Sequence, residues 1–165
     1  MNSFGVVLAA KAALAAAVWP GVGGEVVFFK VLVSAGVDLE ATKAQLAFPF
    51  VRITPDTMDV DDEADDLVTQ RFTISVLQRV AGDPWGETVL IGGPGPQTDL
   101  TSAGIGIMQL EQVIFDTLKL LTAQDGVTIQ LVGASAVAAE LDADIGYVAQ
   151  RDYTFEAWTG AGSAP

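Results

Sequence analysis

The sequence contains no cysteine and no histidine, and Lys and Arg together make up only 8 of its 165 residues. Each shortage removes a class of chemistry. Without Cys there is no disulfide, no thiolate nucleophile and no thiolate metal site. Without His there is no Ser-His-Asp triad and no imidazole-bound zinc or iron. The scarcity of Lys and Arg excludes a basic surface that grips phosphate backbones, because such binding needs clustered cations. Against those 8 cations stand 21 Asp and Glu, for a formal net charge of −13. What remains available is carboxylate, hydroxyl, Lys and Arg chemistry.

Half of the residues are apolar and 18% are charged, which suits a packed core. The length suits one domain, residues 1–165, with a frayed tail over 158–165. The apolar run Phe4–Val18 is interrupted by Lys11 and has no basic segment before it. It is also shorter than the ~20 residues that span a bilayer. It therefore reads as an Ala-rich structural helix, not a signal peptide or an anchor, and no membrane partner is expected. Trp19-Pro20-Gly21 should end it. Trp19 and Trp158 read as core residues at the ends of elements.

The β-branched and aromatic density of Val26–Val33 predicts a strand, and Val51-Arg52-Ile53-Thr54 a short second one. Residues 37–48 are ambiguous between loop and helical turn. From Val68 to Val80, Phe72, Ile74 and Val76 alternate with Arg71, Thr73 and Ser75, the period of a half-buried strand, after which Gln78 and Arg79 are expected in solvent. Residues 81–104 hold three prolines and six glycines and read as a long connection, with Thr88–Ile91 as one arm of a small hairpin. Ile107, Leu110, Ile114, Leu118 and Leu121 then form one apolar helix stripe, expected to pack on Phe72, Ile74, Val76 and Ile129. Glu111, Asp116 and Lys119 lie off that stripe, and Glu111 is expected to be dispensable for stability. Strands follow over 127–132 and about 146–158. The resulting fold class is α+β: an antiparallel or mixed sheet with two helices on one face and a long loop or hairpin insertion.

Two segments stand out as candidate surfaces. Asp56, Asp59, Asp61, Asp62, Glu63, Asp65 and Asp66 place seven carboxylates in 11 residues. Counted from Asp59 or Asp61 they lack the Gly and Glu of a calcium-binding EF-hand loop. A solvated, self-repelling loop or an electrostatic surface in an assembly fits better. In the long connection, Trp85, Val89, Leu90 and Ile91 are apolar and need cover, which a neighbouring subunit could supply. Ile91–Gln97 has no GK[ST] element and its prolines remove backbone donors, so it is not a phosphate loop. No catalytic, cofactor-binding or metal-binding residue emerges, and no cofactor is expected.

Several stretches together resemble the tail-terminator or tail-completion proteins of long-tailed bacteriophages. After an Ala-rich helix comes Phe48-Pro49-Phe50-Val51-Arg52-Ile53, then the acidic stretch, then Thr69-Gln70-Arg71-Phe72-Thr73-Ile74-Ser75-Val76. A helix such as Gln109–Leu121 follows, and a final strand Arg151-Asp152-Tyr153-Thr154-Phe155-Glu156-Ala157. The resemblance spans residues 4–158, and the 81–104 connection is longer than is usual in that family. It implies a non-enzymatic virion protein, assembled in the host cytoplasm. Six copies would form a ring at the head-proximal end of the tail, meeting the tail-tube protein on one side and the head–tail connector on the other. Genomic DNA would pass through without specific binding. Rival expectations are another connector component, a tail-tube subunit, a small carboxylate-based hydrolase, or a secreted acidic binding module.

Overall fold

The computed structural model describes residues 3–19, 26–34, 48–61, 67–80, 86–92, 105–125, 127–142 and 146–159. Within them the order is α1 (Ser3–Ala15), β1 (Lys30–Val33), β2 (Phe50–Asp61), β3 (Leu67–Val80), α2 (Glu87–Ile91), α3 (Ile107–Asp125), β4 (Thr128–Ala134), β5 (Ala138–Asp142) and β6 (Gly146–Thr159). The fold is α+β, with a mixed six-stranded sheet in the order β1-β2-β3-β6-β4, and β5 also on β6. β1 is parallel to β2 and every other pairing is antiparallel.

β3 sits at the middle of the sheet, paired along most of its length with β2 on one side and β6 on the other. Its even-numbered residues Phe72, Ile74 and Val76 point under the helices and are fully buried. The register sets Phe72 beside Phe155 and Ile74 beside Tyr153. The Phe72 and Phe155 rings stack with centroids 5.7 Å apart, and Phe115 of α3 meets Tyr153 edge-on at 5.6 Å. The α3 stripe Ile107, Leu110, Ile114, Leu118 and Leu121 is buried as its spacing predicts, and Ile129 packs against the same core. α1 adds Val6, Val7, Ala10 and Leu14. Trp19 is buried and Trp158 half-buried.

α3 starts at a built cap. The Gly106 carbonyl accepts from the backbone amides of Gln109 and Leu110, and Gln109 Oε1 accepts the Gly106 N–H at 3.0 Å. This side-chain return from the third helical residue is half of a capping box.

Several sequence expectations are corrected. The first strand covers Lys30–Val33 only. Val26 makes an isolated bridge to Val18, and the chain bends at Val27 and Phe29, so the segment before Lys30 joins no strand ladder. Thr88–Ile91 belongs to a short helix, not a hairpin arm. That helix is bounded by Gly86 and Gly92, at φ 73° and 93°, values that side-chain-bearing residues rarely adopt. Gln78 is buried, not solvated, because it shares the core-facing parity of Phe72, Ile74 and Val76. Its amide donates to the Ile105 carbonyl at 2.5 Å, while Arg79 on the other parity is exposed. β5 has no counterpart in the sequence reading. Its Ala-Ala-Glu-Leu-Asp composition favours helix, and pairing with β6 overrides that preference.

The stripe assignment has a direct check in two leucines two residues apart. Leu118 is buried and Leu120 is 62% exposed. Leu118→Ala should lower stability by about 2–5 kcal/mol, and Leu120→Ala by no more than about 0.5 kcal/mol. Equal losses in chemical denaturation would show that the helix face is misassigned.

Candidate functional site

The acidic segment is largely strand where it is described. β2 runs on through Asp56, Asp59 and Asp61, and pairs with β3 as Met58↔Gln70, Asp59↔Thr69, Val60↔Val68 and Asp61↔Leu67. The expected loop is therefore, up to Asp61, one arm of a β-hairpin. Ladder hydrogen bonds to β3 fix the backbone, so carboxylate repulsion does not leave it extended and unpaired. Asp62, Glu63, Asp65 and Asp66 lie outside the described residues.

A bulge between Pro55 and Met58 bends the arm away from regular register. Gln70 supports it from within the sheet. It is a buried polar residue on the core-facing parity of β3, and its amide donates to the Thr57 carbonyl at 3.1 Å. Pro55, Asp56 and Thr57 are exposed. Beyond Ile53, β2 has no partner strand on its outer side among the described residues, because β1 pairs only with Phe50–Ile53. The arm is thus an outer strand of the sheet with exposed Asp56 on it. Gln70 gives no sequence signal of its role, because a Gln within an alternating strand reads as an ordinary surface residue.

The apolar candidates of the long connection separate. Val89 is fully buried and Leu90 half-buried against the core, so α2 is covered by its own chain without a neighbour. Ile91 is 52% exposed. Trp85 lies outside the described residues.

A polar cluster unforeseen in the sequence links α3 to β6. Glu111 Oε2 accepts from Arg151 Nη1 at 2.9 Å and from the Tyr153 hydroxyl at 3.1 Å. Arg151 Nε donates to the Ser135 carbonyl at 3.0 Å, and its guanidinium carbon stands 5.4 Å from the Tyr153 ring centroid. Ser135 Oγ accepts the Asp152 N–H at 3.1 Å. The cluster explains why Arg151 shares the parity of Tyr153 and Phe155: it faces α3 and meets Glu111 there. It also ties the break between β4 and β5 to β6. Burial, and then the Glu111 carboxylate, hold the Tyr153 hydroxyl well above the ordinary tyrosine range. These bonds join α3, β6 and the segment after β4 through side chains of the one chain, so the cluster reads as a clasp.

An open groove of about 410 Å³ lies between the end of α1 and α3, lined by Ala13, Ala16, Ala17, Val113, Leu120 and Leu121, with Asp116 and Thr117 as its polar members. A single carboxylate at an apolar groove offers no acid–base pair of the kind a glycosidase uses. Among the described residues no three acidic side chains converge to hold a metal ion, and no helix is long and apolar enough to cross a membrane. No family model matches the sequence, and no curated protein matches it.

The clasp makes two predictions. Glu111→Ala leaves the buried Tyr153 hydroxyl without an acceptor and Arg151 without its counter-ion. It should cost about 1–3 kcal/mol in urea unfolding, contrary to the expectation that this residue is dispensable; a loss indistinguishable from zero would dissolve the clasp. The raised Tyr153 group also has a pH signature. A folded-state value above the unfolded one, near 10, means that stability is intact below about pH 10. It is lost as the pH rises further and only the unfolded state ionises. Tyr153→Phe should remove this alkaline loss, and an unchanged alkaline limb in the variant would contradict it.

Proposed function

We propose that this chain is a structural subunit of a phage tail, of the tail-terminator type. Copies form a ring at the head-proximal end of the tail tube, stop its growth and present a surface to the head connector. The observation that carries the reading is spatial. The stretches bearing the resemblance fall on three neighbouring strands, β2, β3 and β6, backed by α3. They form one continuous piece of the fold.

Electrostatics agree with that role. A ring that lets DNA pass should not bind it, and a chain with 21 acids against 8 cations repels phosphate. The outer part of β2 adds exposed Asp56, and Asp59 and Asp61 follow it in sequence along the same strand. Its influence reaches roughly 8–10 Å into solvent of physiological ionic strength, enough to act on a duplex moving through a narrow opening. The apolar groove and the self-satisfied Glu111 clasp contain no arrangement that would favour the hydrolase reading.

Negative-stain microscopy of the purified protein, alone and with the tail-tube protein of the same virus, tests the proposal. Rings alone, and tubes of limited length capped at one end in the mixture, are expected. Unlimited tubes formed by this chain alone would make it a tube subunit. Tubes that grow uncapped in its presence, with no ring in either sample, would overturn the reading.

A further inference from the structure

The two ends of the sheet differ from the acidic outer part of β2 in a way that bears on how copies meet. β4 and β5 both run antiparallel to β6 on the side away from β3, so they form one edge interrupted at residues 135–137. β1 forms the other end. Among the described residues no strand pairs with the outer side of either. Unpaired strand edges template the addition of another strand unless charge, proline or a bulge blocks them.

β2 beyond Ile53 carries all of those blocks: Pro55, Asp56, Asp59, Asp61 and a bulge. On the β4–β5 edge the carboxylates are confined to β5, at Glu140 and Asp142. From Val127 to Ala139 there is no charged residue and no proline. One extra residue, Val132, falls between the paired positions Leu131 and Gly133. Leu131 and Val132 are 40% and 52% exposed. The β1 edge is similar. Phe29 is 72% exposed, and Phe29–Val33 holds one charge, the cation Lys30.

We propose that a second copy of this chain adds its β1 edge to the β4 edge, so that the sheet runs on from subunit to subunit. Three features favour this occupant. Two copies of net charge −13 repel, and these strips bring no carboxylate to the contact. The four residues of β1 equal the four regular residues Thr128–Leu131 that precede Val132. Strand directions agree as well. β1 runs with β2 and β6, against β3 and β4, so sheets side by side in one orientation set β4 antiparallel to the next β1. Side chains opposed across a ladder share a face, so Val31 pairs with Ile129, both on the helix-covered face, and that register brings exposed Phe29 beside exposed Leu131. The inference rests on the ring reading, since a contact between two different edges is head-to-tail and repeats until it closes.

The test uses two full-length variants, Leu131→Lys and Phe29→Lys, with assembly followed by sedimentation velocity. Both sites are exposed, so both variants should melt with the wild type; if Leu131→Lys does not, the neighbouring Val132→Lys takes its place. Each variant alone should lose assembly at concentrations where the wild type forms rings. Mixed in equal amounts they should form a one-to-one dimer, because one intact β4 edge and one intact β1 edge remain. Rings formed by both variants alone would overturn the edge pairing and leave the ring reading standing. Self-association of Phe29→Lys, with none by Leu131→Lys, would show β4 pairing with β4 and overturn the role of β1. A wild type that stays monomeric alone and with the tail-tube protein would overturn the ring reading, and the edge contact with it.

Discussion

Burial of one face of β3 beneath α3 is the constraint on which the rest of the molecule depends. Phe72, Ile74 and Val76 can leave water only if a helix stripe of matching length covers them, and Ile107, Leu110, Ile114, Leu118 and Leu121 supply it. Because side chains alternate along a strand, that choice fixes the face of every residue on β3 and its neighbours. Gln78 and Gln70 are thereby turned inward, where each must find a carbonyl, and they find those of Ile105 and Thr57. Arg71 is turned outward, where it pairs with Glu156 across the strand boundary. Exposed pairs of that kind contribute little to stability, so the apolar contact sets the register and the charges follow it.

The same constraint explains what the sequence disclosed and what it did not. The α3 stripe and the alternation in β3 were legible because each repeats a period set by burial. The clasp of Glu111, Arg151 and Tyr153 is not, because Glu111 lies 40 residues from Arg151 in sequence and only the crossing of α3 over β6 brings them together. Arg151 carried a clue, a charge on the apolar parity of its strand, but the clue named no partner. β2 was read too short, because carboxylates and Pro55 suggest a loop. Ladder pairing to Thr69 and Gln70 outweighs that local preference. β5 was missed for a related reason: its composition argues for helix, and only the neighbouring β6 makes it a strand.

The edges of the sheet connect fold to function. A strand edge is chemically able to accept another strand, and this chain treats its edges unequally. Acids, a proline and a bulge occupy the outer part of β2, whereas β4 and β1 present apolar residues with no carboxylate among Thr128–Ala134 or Phe29–Val33. In a chain of net charge −13, that distribution separates surfaces on which copies would repel from surfaces on which they can approach. An acidic edge kept clear of subunits is free to face solvent or DNA.

Amide hydrogen exchange on the free subunit and on the assembled particle tests the central claim most directly. The core strand β3 should exchange slowly in both states. Residues 128–131 and 30–33 should gain protection on assembly, and Asp56–Asp61 should not. Unchanged exchange of both edge segments in a particle that has demonstrably assembled would contradict the account, as would new protection confined to the acidic arm.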